Sequence, residues 1–245
     1  MYDSICVMLP TYGRSGTLLP RFINSCFETA SDANRIKFAF CLNQKDVETD
    51  RYLKLFKWPK KENLLIVYES TDKPNLSLYF NMLYRETVVF GDNCLVSMLG
   101  DDMEFRTPGW DKFILDAVNT YSGIGVFWCN DNYIAHARCA VNLFVTRKMV
   151  DATEHSFMCE EFAGDMVDYL WTKVGKYTRT QHYFPGVIIQ HNHNTSLPKE
   201  QWDATFNRLL PAQAEGHAVG KPRAKQIAHE IADILIRKGF IGNSI

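Results

Sequence analysis

Residues 95–102, LVSMLGDD, decide the fold of this chain, because an apolar and β-rich run ends there in two adjacent carboxylates. Three similar runs precede it, at Ser4–Leu9, Ile36–Leu42 and Leu64–Tyr68, and the segments between the runs carry apolar residues at helical spacing. Strands that alternate with helices favour right-handed βαβ units and a parallel sheet covered by helices on both faces. We therefore predict an α/β fold that binds its ligands beyond the carboxyl ends of the strands.

The second half of the sequence is less regular. Its predicted elements are helices at Trp110–Val118, Glu160–Val174 and Ala224–Lys238 and strands at Ile124–Cys129, Val141–Val145 and Val187–Gln190. Two glycines and a proline make Gln213–Pro222 the best candidate for a linker. We therefore predict a main domain over residues 1–210 and a helical extension over residues 211–245.

The composition is that of an ordinary globular protein. The 245 residues are 46% hydrophobic and 22% charged, which excludes a disordered tail or a coiled coil. A net charge of −1 argues against a dedicated nucleic-acid binder. The 7 cysteines contain no C-x-x-C pair and are predicted to be free, buried thiols. The start MYDSICVMLP lacks signal-peptide features and no apolar run approaches the ~20 residues of a membrane span, so we expect a soluble, cytoplasmic protein with no transmembrane segment.

Two of the predicted strands end in polar motifs. Residues 10–14, PTYGR, offer an aromatic ring that can stack on a base and an arginine that can reach phosphate, although a plain surface turn fits as well. Asp101 and Asp102 are hard oxygen ligands that suit Mg²⁺ or Mn²⁺ beside a phosphate, although acidic turns also cap helices. Both motifs fall where the fold prediction places the ligand.

Two further patterns lie near the end of the predicted main domain. Strand alternation puts His191 and His193 on one face, which suits either a metal ligand or a structural role. Asp165 and Asp168 are neighbours on a helix surface, where aspartate is also an ordinary charge near a helix start.

The order of these motifs resembles the nucleotide-sugar glycosyltransferases of the GT-A fold, close to the family 2 type, over residues 4–195. The similarity is nearest to phage and bacterial transferases with Gly-Asp-Asp, Thr-Pro-Gly-Trp-Asp, Asn-Asp and His-x-His, which stand here at residues 100–102, 107–111, 130–131 and 191–193. The resemblance implies a Rossmann-like, mostly parallel sheet flanked by helices. It departs from the usual Asp-x-Asp motif at Gly100.

The resemblance implies a donor site, a metal site and a base. The donor would contact residues that follow the early strands or flank the third helix, namely Pro10, Thr11, Tyr12, Arg14, Asn43, Asp46, Asn81 and Asp101. Mn²⁺ or Mg²⁺ would be held by Asp102 with His191 or His193, and Asp101 would meet the ribose or a metal-bound water. The general base would be Asp165, with Glu161 and Asp168 as alternatives.

The remaining implications concern the acceptor and the reaction. Asn130 and Asp131 would meet the sugar or acceptor, and Trp128 would either line the pocket or belong to the core. The expected reaction is sugar transfer from a nucleotide-diphosphate donor, commonly a uridine nucleotide in similar enzymes. Inversion is the expected stereochemistry, with a retaining transferase as the alternative. The acceptor would be a glycan or a hydroxylated base in phage DNA. A sugar-nucleotide pyrophosphorylase, a non-catalytic binding module and a zinc hydrolase are the competing interpretations.

Overall fold

A computed structural model of the chain describes residues 1–71, 75–121, 123–133, 135–153, 157–160, 162, 166–193 and 204–241. For residues 204–219 it describes the helical backbone and not the side chains. Eight strands form one sheet, β1 Ser4–Thr11, β2 Ile36–Asn43, β3 Leu64–Glu69, β4 Cys94–Met98, β5 Met103–Phe105, β6 Val126–Asn130, β7 Leu143–Val145 and β8 Gln181–His191.

The strand order is β3-β2-β1-β4-β7-β6-β8-β5. Strands β3, β2, β1 and β4 are mutually parallel, and β8 is parallel to β6. Only β7 and β5 run antiparallel to their neighbours among the described strands. The sheet is therefore mostly parallel, as the sequence predicted, and six strands end at one edge. The short strand β5 was not predicted from the sequence, because three residues give no periodicity to read.

Seven α-helices surround the sheet in the described part of the chain. They are α1 Leu18–Thr29, α2 Val47–Leu55, α3 Leu76–Glu86, α4 Trp110–Thr120, α5 Arg147–Asp151, α6 Val167–Thr178 and α7 Ala204–Arg237. The prediction of a linker at 213–222 is wrong, because those residues lie inside α7. The helix predicted from Glu160 begins only at Val167.

Packing explains why the helix α7 continues through residues that favour a turn. Its buried side chains include Ala224, Ala228 and Leu235, and it packs along α6. Tertiary contacts of this kind can outweigh the cost of about 1 kcal/mol for Gly and about 3 kcal/mol for Pro inside a helix. The predicted boundary between residues 210 and 211 falls within α7, and the division into two domains stays a prediction.

Both faces of the sheet are buried, as the near-continuous apolar runs predicted. Along β1, Ile5, Val7 and Leu9 belong to one core cluster, whereas Cys6 and Met8 belong to the other. All seven cysteines lie in the described residues as thiols rather than disulfides, and five of them are buried. Across the same residues, no helix combines the length and apolarity that a membrane crossing needs.

The motif at residues 107–111 joins the start of α4 to the end of α1. The backbone N–H of Gly109, a residue with φ of +73°, donates to the carbonyl of Thr29 at 2.6 Å. Trp110 is fully buried, and its indole N–H donates to the carbonyl of Cys26. Asp111 is also fully buried and accepts from the backbone N–H and hydroxyl of Ser31 and the N–H of Asp32. Since residues 31 and 32 precede β2, this motif lies at the opposite edge from the carboxyl ends.

Candidate active site

The candidate site lies at the edge where six strands end. Polar residues stand at or just beyond each of these ends, namely Thr11 (β1), Asn43 (β2), Glu69 (β3), Asp101 and Asp102 (β4), Asn130 (β6) and His191 (β8). Ligands of open α/β sheets bind at this edge. The topology therefore gathers residues that are as far apart in sequence as Thr11 and His191.

Asp102 and His191 meet at the pairing of β5 with β8. Met103 is the register partner of His191, and the N–H of Asn192 donates to the carbonyl of Asp102 at 2.9 Å. This pairing brings His191 Nε2 to 3.4 Å from Asp102 Oδ2, with both side chains about one-sixth exposed. Burial acts to raise the pKa of Asp102, but the hydrogen bond and charge of His191 outweigh it and lower the pKa. Burial acts to lower the pKa of His191, but Asp102 outweighs it and raises the pKa.

His193 lies next to this pair although β8 ends two residues before it. Its ring centroid is 5.0 Å from that of His191, and the two rings are nearly perpendicular. Burial and the charge of His191 lower the pKa of His193. Tyr133 packs on both rings, at centroid distances of 6.3 Å from His191 and 6.1 Å from His193. Tyr133 was not singled out in the sequence, where a lone tyrosine in a loop gives no signal.

The Asp102 and His191 donors suit a divalent cation. Metal–ligand bonds of this kind are about 2.0–2.2 Å long, so two ligands at a right angle stand roughly 3 Å apart. The observed 3.4 Å between Oδ2 and Nε2 is close to that spacing. The described residues contain no group of three or more His, Cys, Asp and Glu arranged to hold a metal. A cation here would therefore depend on phosphate or water oxygens for its other ligands.

Asp101 points away from this pair into the protein. Its carboxylate is 5% exposed, accepts from the hydroxyl of Thr11 at 2.6 Å, and forms an ion pair with Nη1 of Arg14. Burial raises the pKa of Asp101 to about 6, against the opposing effect of Arg14. The charge of Arg14 also acts to lower the pKa of Asp102, so the guanidinium is within electrostatic reach of the second carboxylate. The PTYGR turn and the Asp-Asp motif thus form one connected network.

The turn after β1 is fixed by Asp46. The N–H of Gly13 donates to Asp46 Oδ2 at 2.7 Å, and Gly13 has φ of +67°, which a residue with a side chain adopts at a cost. Asp46 Oδ1 also caps α2 by accepting from the N–H of Thr49. Tyr12 is 40% exposed beside Gly13. Asp46 therefore holds the turn that presents Tyr12, whereas Pro10 lies in β1 itself.

Asn43 holds the turn after β3. Its amide donates to Glu69 Oε1 at 2.6 Å and to the carbonyl of Thr71 at 3.0 Å. Glu69 is buried and also accepts from the N–H of Thr71. Glu69 was missed in the sequence, although an acidic residue that ends a predicted strand is the same signal that pointed to Asp101 and Asp102.

Asn81 and Trp128 are packed into the interior. Asn81 is fully buried, donates from its amide to the carbonyl of Met158 and accepts from the N–H of the same residue. Trp128 is 2% exposed in the core cluster, and its indole N–H donates to the carbonyl of His136. The polar groups of both side chains therefore form hydrogen bonds within the protein, and both residues are buried.

Asn130 and Asp131 shape the loop that follows β6. Asp131 is 1% exposed, and its carboxylate accepts from the N–H groups of Ala135 and His136. The carbonyl of Asp131 also accepts from the N–H of His191, which ties this loop to the histidines. Asn130 Oδ1 accepts from the N–H of Asn132. Asn130 is partly exposed at the crevice edge, whereas Asp131 is not.

Of the three candidate bases, Asp165 and Glu161 lie outside the described residues. Asp168 stands in the first turn of α6, where its carboxylate accepts from the thiol of Cys139 at 3.4 Å. The negative charge of Asp168 also contributes to the raised pKa of His191. Asp168 is therefore within electrostatic reach of His191.

The fold is the GT-A type, a mostly parallel curled sheet flanked by helices, as comparison with solved structures confirms. S. aureus TarS matches with a TM-score of 0.57 and 12% identity over 97% of this chain and 45% of that chain. The mannosyltransferase PcManGT from Pyrobaculum calidifontis, in complex with GDP-Man and Mn²⁺, matches with a TM-score of 0.60 and 16% identity over 98% of this chain and 72% of that one.

A third match is S. aureus TarS 1–349 in complex with UDP-GlcNAc, with a TM-score of 0.57 and 12% identity over 96% of this chain and 73% of that one. This chain spans less than half the length of the longer TarS structure, at 45%. No protein-family model matches the sequence, and no curated protein matches it.

Proposed function

We propose that the protein is a glycosyltransferase that moves a sugar from a nucleoside-diphosphate donor to an acceptor hydroxyl with the help of a divalent cation. The observation that carries the proposal is the 3.4 Å approach of Asp102 Oδ2 and His191 Nε2 at the ligand-binding edge of a GT-A fold. The matched structures with UDP-GlcNAc and with GDP-Man and Mn²⁺ support it.

The donor would lie across the ends of β1, β2 and β4. The exposed ring of Tyr12 offers a stacking surface for the base, and Arg14 offers charge-assisted hydrogen bonds to phosphate. Asp46 and Asn43 keep the two flanking turns in place. A Mn²⁺ or Mg²⁺ ion held by Asp102 and His191, with His193 beside them, would neutralise charge that grows on the departing diphosphate.

The acceptor hydroxyl must lose its proton to a carboxylate as it attacks the anomeric carbon. We propose Asp165 for this role, with Glu161 and Asp168 as alternatives. A single base opposite the leaving group implies inversion of configuration. The acceptor we propose is a glycan or a hydroxylated base in phage DNA. It would bind beside Asn130, His191 and His193.

Release of the nucleoside diphosphate from UDP-GlcNAc, UDP-glucose and GDP-mannose in the presence of candidate acceptors tests this proposal. We expect release only with Mn²⁺ or Mg²⁺, loss of release in Asp102→Asn, and normal release in Asp116→Asn, whose carboxylate is exposed on α4. Turnover in excess chelator would contradict the metal site. Release of a nucleoside triphosphate on adding pyrophosphate would instead identify a pyrophosphorylase, and binding without turnover would identify a binding module.

The base is tested separately by Asp165→Asn. We expect kcat to fall by ~10²–10⁴-fold, because the variant keeps the shape but loses the proton acceptor. The affinity for nucleotide and metal, measured by calorimetry, should change little. Normal turnover in this variant would move the assignment to Glu161 or Asp168, each tested by the same substitution to its amide.

A further inference from the structure

Asp101 and Asp102 are adjacent in sequence but differ in what they can touch. The Asp101 side chain is 6% exposed, against 15% for Asp102. Both oxygens of Asp101 accept hydrogen bonds from the β1 side, Oδ2 from the Thr11 hydroxyl and Oδ1 from Arg14 Nη1. Asp102, in contrast, faces His191. The first carboxylate of the motif thus bonds to β1 and the turn after it, and the second to the histidine that ends β8.

The carboxylate of Asp101 would hold the guanidinium of Arg14 in place. Arg14 follows Gly13 on a turn, has four rotatable side-chain bonds, and yet is only 11% exposed with its Nη1 paired to Asp101. A guanidinium has five N–H donors in a rigid fork, so it can serve a carboxylate and a phosphate together. An arginine already held in place loses less freedom when it binds a phosphate.

We propose that Asp101 is a positioning residue that acts on the donor through Arg14 and contacts neither the ribose nor the cation. The inference rests on the proposed function, since it needs a nucleoside diphosphate beside Arg14. It departs from the role that the resemblance implies for Asp101, which is a direct contact to ribose or to a metal-bound water. In this proposal Asp101 of the Gly-Asp-Asp motif holds another side chain of the protein, whereas Asp102 contacts the ligand.

A double-mutant cycle on nucleotide affinity separates the two roles. The dissociation constant of UDP and of GDP would be measured by calorimetry with saturating Mn²⁺ for the wild type, Asp101→Asn, Arg14→Met and the double variant. We expect Arg14→Met to weaken binding by about 30-fold and Asp101→Asn by about 10-fold, as for charge-assisted hydrogen bonds. The double variant should be no weaker than Arg14→Met within about threefold, because Asp101 acts only through its partner.

Independent contacts would give a different result. If Asp101 touched the ribose, the two effects would multiply to roughly 300-fold in the double variant. If it bound the cation, Asp101→Asn would raise the Mn²⁺ concentration that half-saturates nucleotide binding, which we expect to stay unchanged. Either outcome overturns the inference. Arg35→Met, which removes an exposed arginine paired to Asp32, is the matched control and should not change affinity.

A second measurement, on the wild-type protein, does not require the removal of the buried Asp101 carboxylate. The side-chain ¹⁵N signals of Arg14, assigned with Arg14→Lys, should show restricted rotation without ligand and shift when UDP or GDP is added with Mg²⁺. A freely rotating or unresponsive Arg14 in a protein that binds nucleotide would refute the inference and leave the proposed function standing. A protein that binds neither nucleotide would refute the proposed function itself.

Discussion

Removal of the Asp111 carboxylate should unfold the protein at lower temperature without changing its ligand-binding edge. Asp111 is fully buried in the first turn of α4 and accepts three hydrogen bonds, from Ser31 N at 2.6 Å, Ser31 Oγ at 2.8 Å and Asp32 N at 3.1 Å. These bonds tie the segment between α1 and β2 to α4. Asp111, the last residue of the Thr-Pro-Gly-Trp-Asp motif, thus has a structural role.

The size of the effect follows from the number of bonds and the exposure of their donors. Hydrogen bonds to charged groups contribute up to ~3 kcal/mol each, but Ser31 is exposed and regains water when its partner is removed, so ~1 kcal/mol per bond is appropriate. Asp111→Ala should therefore lower the free energy of unfolding by about 3–4 kcal/mol. For a chain of this size, a loss of that magnitude corresponds to a fall in Tm of roughly 6–16 °C.

Thermal unfolding followed by circular dichroism measures this shift, and Asp116→Ala is the matched control. Asp116 lies on the same helix, but its carboxylate is exposed and pairs only with exposed Lys112. We expect this variant to change Tm little, because exposed ion pairs contribute weakly. Nucleotide affinity of folded Asp111→Ala should equal that of the wild type. Equal Tm values for the two variants would refute the reasoning.

Three further outcomes are expected. Asp102→Asn should abolish the stabilisation that UDP or GDP gives with Mn²⁺, seen as the loss of a ligand-dependent rise in Tm, because the proposed cation would depend on Asp102 for its attachment to the protein. The pKa of His182, held between Tyr121 and Phe127, is lowered by burial. At low pH the unfolded chain therefore binds a proton at this histidine more readily than the folded chain, so the free energy of unfolding should fall as pH drops below ~6.5. The Tm of His182→Phe should fall less between pH 7.5 and 5.5 than that of the wild type. Trp110→Phe should destabilise the fold by about 1–3 kcal/mol in chemical denaturation, because it leaves a cavity and strips the Cys26 carbonyl of its donor.

Local pattern was sufficient for the fold class. Apolar runs such as Ser4–Leu9 and Ile36–Leu42 alternate with helical periodicity, and β1 and β2 formed within two residues of the predicted bounds. Because ligands of such sheets bind at the carboxyl ends of the strands, the sequence alone points to Thr11, Asp101 and Asp102. These are statements about period and order along the chain, which the sequence contains in full.

Pattern failed where distant segments decide the conformation. Gln213–Pro222 has the composition of a linker but is helical, because the α7 helix is packed on α6. The contact of Asn81 with Met158 joins distant segments and was not indicated by the sequence, and the role of Asn81 at the donor site stays a prediction. Tyr133 reaches the two histidines only through the loop that follows β6.

The sequence by itself determined the α/β class and the order along the chain of the strands that carry polar residues at their ends. It also determined the residue types that suit a cation and a phosphate. Only the tertiary structure decided which partner each of these polar residues contacts. The antiparallel pairing of β5 with β8 sets Asp102 opposite His191, whereas the ion pair with Arg14 turns Asp101 inward. Two adjacent aspartates are equivalent in a sequence, and they became different because neighbouring strands brought a histidine to one and an arginine to the other.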